Sequence, residues 1–139
     1  MRILALDVGD VRIGLAISDA LGITANPLDT YVRAKNDEEY DAKTLAKLAE
    51  DKSVQRIVLG LPLNMDGTEG DRVVKTRAFA ELLSKYTAIP LDYQDERLTT
   101  VTAEHVLIEQ GMRREKRKTV IDRVAATIIL RCYLDRVCR

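Results

Sequence analysis

Tryptophan is absent from the 139 residues, phenylalanine and histidine occur once each, and only two cysteines are present. Each scarcity removes a class of function. With Phe79 alone and no tryptophan, an aromatic platform for stacking successive bases is not evident. With His105 alone and no CxxC pair, a zinc site has almost no support, so any metal should be oxygen-ligated. Cys132 and Cys138 are six residues apart on one expected helix, about 9 Å at 1.5 Å rise per residue, which is too far for a disulfide. They read as reduced packing residues. Ser18 and Ser84 lack a histidine base, so no hydroxyl nucleophile stands out.

Long apolar runs are missing as well. None approaches the roughly 20 residues of a membrane span, and Met1 to Gly9 lacks the charged start and long apolar centre of a secretory signal. A cytoplasmic location with no membrane partner is expected. The length and the 46% hydrophobic content suit one domain over residues 1–139 with a real core, and no repeat or linker interrupts it. Net charge is formally zero, but its sign is segregated. Residues 113–139 carry nine Lys/Arg against three Asp/Glu, and the first 112 residues carry 13 against 19. A basic end hints at a polyanionic partner, although a solvated terminal helix gives the same pattern.

What is present is an alternation of apolar runs. Arg2 to Val8 and Arg12 to Ser18 flank Gly9-Asp10-Val11 and read as a hairpin, with a third strand around Leu28 to Val32. Asn36 and Glu39 have capping-box spacing for a helix over Glu38 to Asp51. Val54 to Leu59 reads as a strand buried on both faces, followed by a long loop from Gly60 to Gly67. A helix over Glu69 to Tyr86, with Asp66 and Glu69 in capping-box spacing, leads to a strand from Ile89 to Asp95. Ala103, Val106, Leu107 and Gln110 trace a further helix stopped by Gly111, and a last helix is expected from about Val120 to Val137. The order implies an α/β fold with a mixed five-stranded sheet, three antiparallel strands then two parallel crossover strands, flanked by helices.

Three carboxylates sit at the ends of these apolar elements. Asp7 ends Ile3 to Leu6, Glu96 follows Asp95, and Asp122 opens the last helix. A buried acid is costly unless it is paired or holds a metal, so three of them suggest a shared cation. Each also has an ordinary explanation: a turn cap beside Gly9 for Asp7, neutralisation by Arg97 for Glu96, and a first-turn acid favouring the helix dipole for Asp122. Open α/β sheets usually bind ligands at the carboxyl ends of their strands, where Asp7, Glu96 and the Gly60 loop should meet. Two Mg²⁺ or Mn²⁺ ions about 4 Å apart could there activate a water and stabilise the leaving oxygen of a phosphodiester.

Between Gly111 and the last helix lie Arg113, Arg114, Lys116, Arg117 and Lys118, five bases in six residues. Read as a connector, they could hold a phosphate backbone against the acids, with affinity but no sequence readout; a solvated loop is the ordinary alternative. Gly9 and Gly14, flanking Arg12, could bring backbone amides to a phosphate or simply make a tight turn. Asn64 offers donor and acceptor groups from the Gly60 loop. Arg12, Asn64 and Arg97 are therefore candidate substrate contacts beside the basic run.

Four segments taken together resemble a known family: Asp7-Val8-Gly9-Asp10-Val11-Arg12-Ile13-Gly14 running on to Asp19, Gly60-Leu61-Pro62-Leu63-Asn64-Met65-Asp66-Gly67, Asp95-Glu96-Arg97-Leu98-Thr99-Thr100, and Ile121-Asp122-Arg123-Val124-Ala125-Ala126. Over essentially its full length the chain resembles the YqgF family of pre-16S rRNA nucleases, also described as Holliday junction resolvase-like. The resemblance implies a ribonuclease H-like fold, a cytoplasmic hydrolase maturing the 5′ end of 16S rRNA during ribosome biogenesis, and Asp7, Glu96 and Asp122 as metal-binding catalytic acids. Val11 departs from the family pattern, in which a lysine commonly precedes the arginine. That leaves pre-rRNA, with the ribosome or its precursors, or branched DNA as the expected partner, and a resolvase or a non-catalytic RNA-binding assembly factor as the competing functions. Actin-like ATP-binding proteins also begin on such a hairpin, but they close two related domains over the nucleotide, and 139 residues supply one.

Overall fold

The structure, a computed structural model, describes residues 1–64, 66–96 and 114–137, and of residues 114–123 the backbone alone. The helix expected over 103–110, with His105, Arg97 and Arg113, lies outside the described residues.

Strand β1 (Ile3–Val8) has Ile3, Leu4, Ala5 and Leu6 fully buried, because it is central and covered on both faces. It runs antiparallel to β2 (Arg12–Ser18) and parallel to β5 (Arg56–Leu61), beyond which β6 (Leu91–Asp95) continues the parallel half. Two short strands, β3 (Ala25–Pro27) and β4 (Tyr31–Val32), both pair antiparallel with β2. The sheet order is β3-β2-β1-β5-β6 with β4 beside β2, six strands where five were expected. The single third strand expected over Leu28 to Val32 is split: Pro27 has no amide to donate, and Asp29 and Thr30 fall between the two paired pieces. The amides of Leu28 and Arg33 still reach Leu15 O and Val11 O, each at 2.9 Å.

Helix α1 (Glu38–Asp51) connects β4 to β5. Its cap is Asp37, whose carboxylate accepts from the Tyr40 amide at 3.0 Å, and not the expected Asn36. Asn36, at φ 57°, instead turns the chain into that cap. Helix α2 (Asp71–Leu83) starts after Gly70 with no side-chain cap. The expected cap Asp66 is used earlier, accepting from the Thr68 amide at 3.0 Å and its hydroxyl at 2.6 Å to close the loop. Helix α3 (Arg114–Val137) begins six residues before the expected Val120. The supposed connector over 114–118 is therefore helical, consistent with a run of Arg, Glu and Lys uninterrupted by Gly or Pro.

Alternation along the strands divides the core into two layers. Leu4, Leu6, Ile13, Leu15, Ile57 and Leu59 face α1 and α2, which contribute Leu45, Phe79 and Leu83. Ile3, Ala5, Ala16 and Val58 face α3, which contributes Ala126, Ile129, Leu130, Tyr133 and Leu134 at helical spacing. Each large buried side chain contributes roughly 1.5–3 kcal/mol. Tyr133 also fastens α3 to the sheet, donating to Asp92 at 2.7 Å and accepting from Arg56 at 2.9 Å. Cys132 is free but exposed on α3, not the packing residue expected, because the buried stripe runs through Tyr133 and Leu134 beside it. Among the described residues no helix is long and apolar enough to cross a membrane.

Candidate active site

Asp7 is two residues beyond Ala5 and four beyond Ile3, so the pleat turns it to the face covered by α3. Pairing of Leu6 with Leu59 sets Asp7 level with Gly60 of β5, and Gly60 in turn pairs with Gln94 of β6. Glu96 extends that ladder by one more bond, its amide donating to Leu61 O at 3.0 Å. The carboxyl ends of three parallel neighbours thus bring Asp7 and Glu96 together at one edge, as their positions at strand ends predicted.

Gly60 makes the meeting possible. A Cβ built there would come within 2.4 Å of Glu96 Oε2 and 2.5 Å of Ile129 Cδ1. The carboxylate of Glu96 therefore lies in the space a side chain would fill, between β5 and α3. The expected strand ended at Leu59, with Gly60 in a loop; it runs to Leu61, so Gly60 is an interior strand position. Gly60→Ala is expected to cost about 1–3 kcal/mol from overpacking. The displaced Glu96 should also lower cleavage by roughly 10²-fold. A variant that unfolds like wild type and cleaves at full rate would show that this space is not needed.

Glu96 is 6% exposed, and its Oε2 has no hydrogen-bond partner among the described residues. Burial, and then the neighbouring charge of Asp7, push its pKa up to about 8, Asp95 adding to the rise and Arg72 opposing it. Asp41 of α1, 0% exposed, shows what a structural buried acid looks like. It accepts from Tyr31 Oη at 2.7 Å, the Ala34 amide at 2.9 Å and Arg33 Nε at 3.1 Å. One acid is fully satisfied and the other is left with an orphaned oxygen beside a second carboxylate. A hard divalent cation relieves both the repulsion and the orphaned lone pairs, so the donor set fits Mg²⁺ or Mn²⁺.

The third expected acid, Asp122, falls in α3 two turns before Ile129, and its side chain is outside the described ones, as are those of Arg114, Lys116, Arg117 and Lys118. Among the described residues no group of three His, Cys, Asp or Glu forms a metal site. Asp7 is half-buried, not wholly so as a core acid would be.

Arg12 opens β2 opposite Val32. Beside it, the Gly9 amide donates to Arg12 O at 2.9 Å, and a Cβ on Gly9 would strike that oxygen at 2.7 Å. The amide is thus engaged in the turn and does not face a phosphate, contrary to the phosphate alternative for the hairpin. Arg33 braces the tip, donating from Nη1 to Gly9 O at 2.7 Å while it lies over the Phe79 ring. Asn64 is exposed, donating from Nδ2 to Thr68 Oγ1 at 3.0 Å, so half of its amide serves its own loop. Sequence reasoning missed the part played by Gly60 and by Asp41; the β-branched run continuing into Gly60 signals a longer strand but not the space beside Glu96.

The fold matches Thermus thermophilus RuvC in complex with a Holliday junction substrate, at TM-score 0.60 and 10% identity over 99% of this chain and 96% of that one. It also matches the fowlpox virus Holliday junction resolvase, at TM-score 0.58 and 16% identity over 99% and 100%. Both matches show the fold, which is ribonuclease H-like. A family profile described as "RuvX: Holliday junction resolvase" covers residues 1–136, and the chain belongs to that family. Relatives include a protein of Streptococcus suis, 49% identical over 98% of this chain and 99% of its own length, and one of Streptococcus sanguinis, 46% identical over the same shares. Both are named "Putative pre-16S rRNA nuclease". The resemblance to the YqgF family is thereby borne out.

Proposed function

We propose that residues 1–139 form one nuclease domain that cleaves phosphodiesters of structured RNA with Mg²⁺ or Mn²⁺, processing the 5′ end of pre-16S rRNA in the cytoplasm. The observation that carries the reading is the orphaned, buried Glu96 carboxylate beside Asp7 at the carboxyl edge of the sheet. The full-length relatives named for pre-16S rRNA support the choice of substrate. Asp7 and Glu96 would hold the cation, with Asp122 as the third acid. The cation would supply an activated water and charge neutralisation at the phosphoryl oxygens. Glu96 is held by its amide bond to Leu61 O just past β6 and Asp7 lies on β1, so the sheet would position both acids before substrate arrives, which limits reorganisation during the reaction. Arg12, Asn64, Arg97 and the basic residues Arg113, Arg114, Lys116, Arg117 and Lys118 would hold the backbone of the RNA.

A four-way DNA junction is the second candidate substrate, favoured by the family description and by the RuvC-like fold. The two are separated by incubating the protein with precursor rRNA and with a junction, in Mn²⁺, and mapping product ends. Cuts at the 5′ end of 16S rRNA are expected. Paired symmetric cuts in the junction with untouched rRNA would establish the resolvase instead. Tight binding without any cut would leave the assembly-factor alternative.

A further inference from the structure

The acid edge has a cationic side that the roles assigned above do not use. Arg72 is exposed on the first turn of α2, just after Gly70. With Lys75, one turn further, it lines a narrow cleft together with Val8, Gly9, Asp10 and Arg33, so the cleft begins at the residue that follows Asp7. Two of its three cations are engaged. Arg33 is bonded to Asp41 and to Gly9 O, and Lys75 pairs with Asp10 at 3.3 Å. Among the described residues no hydrogen bond or ion pair holds the Arg72 guanidinium, which opens onto the cleft beside Val8 and Gly9.

An exposed arginine that lines a cleft beginning beside Asp7, while the other two cations of that cleft are engaged, leaves its fork of N–H donors available to an anion. Because α2 packs on the opposite face of the sheet from α3, Arg72 approaches the edge from the side away from the helix that covers the acids. A phosphate bridging the edge would meet the carboxylate-held cation on one side and Arg72 on the other. We propose that Arg72 binds the non-bridging oxygens of the scissile phosphate and is a further catalytic residue of this site. The inference rests on the nuclease reading. Arg72 adds no covalent step: it stabilises charge on the phosphoryl oxygens while water attacks and the ester oxygen departs.

The test uses Arg72→Ala and Arg72→Lys beside wild type. In single-turnover cleavage of a precursor rRNA fragment with Mn²⁺, Arg72→Ala should slow the reaction by roughly 10²–10³-fold, and Arg72→Lys should restore part of the loss. The thermal midpoints should agree, since the side chain is exposed and packs into no core. Binding of the same RNA without divalent cation should show a slope of log affinity against log salt smaller by about 1 for Arg72→Ala. Full-rate cleavage with an unchanged salt slope overturns the inference. If wild type cleaves no substrate, the nuclease reading fails separately, and the slope still decides: a decrease supports the phosphate contact, and no change overturns it.

Discussion

Asp7→Asn is expected to lower Mg²⁺- or Mn²⁺-dependent cleavage by on the order of 10³-fold or more, equivalent to roughly 4 kcal/mol of transition-state stabilisation. The substitution keeps the size of the side chain and removes one negative charge from the pair. The backbone pairing of Asp7 with Gly14 is untouched, and the strand stays central between β2 and β5. Loss of the charge also removes one of the two main causes of the raised Glu96 pKa, so the metal-free protein should be no less stable at neutral pH. Activity and stability therefore part company, which separates loss of a ligand from loss of fold. The measurements are cleavage of precursor rRNA at saturating Mn²⁺ and the thermal midpoint without metal. Cleavage within a fewfold of wild type would remove Asp7 from the site.

The place of Asp7 was legible in sequence because an apolar run that stops on a carboxylate breaks the burial pattern at a definite point of β1. Glu96 follows a strand that mixes apolar and polar residues, so its place was legible only from the order of the elements. Gly60 was not legible in the same way, since its importance depends on the register that sets Leu6 beside Leu59, a long-range pairing that local pattern does not encode. In the sequence Asp41 is one acid among several in the first turn of α1, and only the return of Tyr31 and Arg33 over that turn makes it a buried, satisfied carboxylate. Arg72 resembles any solvated arginine on an amphipathic helix until α2 is docked beside the hairpin tip. The early start of α3 shows the converse error: charge density suggested a loop over 114–118, whereas helix propensity carried the helix through it. The splitting of β3 from β4 depended on where Pro27 met the β2 ladder, which needs the pairing partner to be known.

Glu96→Gln should have opposite effects on stability and activity. An acid whose folded pKa is raised from 4.5 to about 8 binds its proton more tightly in the folded protein than in the unfolded chain. Below about pH 4.5 both states hold the proton and the group contributes nothing to the difference. Between there and about pH 8 the unfolded chain releases the proton first, so stability falls as pH rises, and above about 8 the cost is fully present. At about 1.4 kcal/mol per pKa unit that cost is on the order of a few kcal/mol. A neutral glutamine of the same shape does not titrate, so the variant should unfold roughly 5 °C or more above wild type at pH 8–9 without metal, and the difference should shrink toward pH 5. Added Mn²⁺ should raise the wild-type midpoint at pH 8, because binding to the folded state alone stabilises it, and should do little for the variant. Cleavage by the variant should drop by about 10³-fold despite its greater stability. Parallel loss of stability by both proteins from pH 5 to 9 would mean that Glu96 is not the strained group, and that the buried acid at this edge is satisfied without a cation.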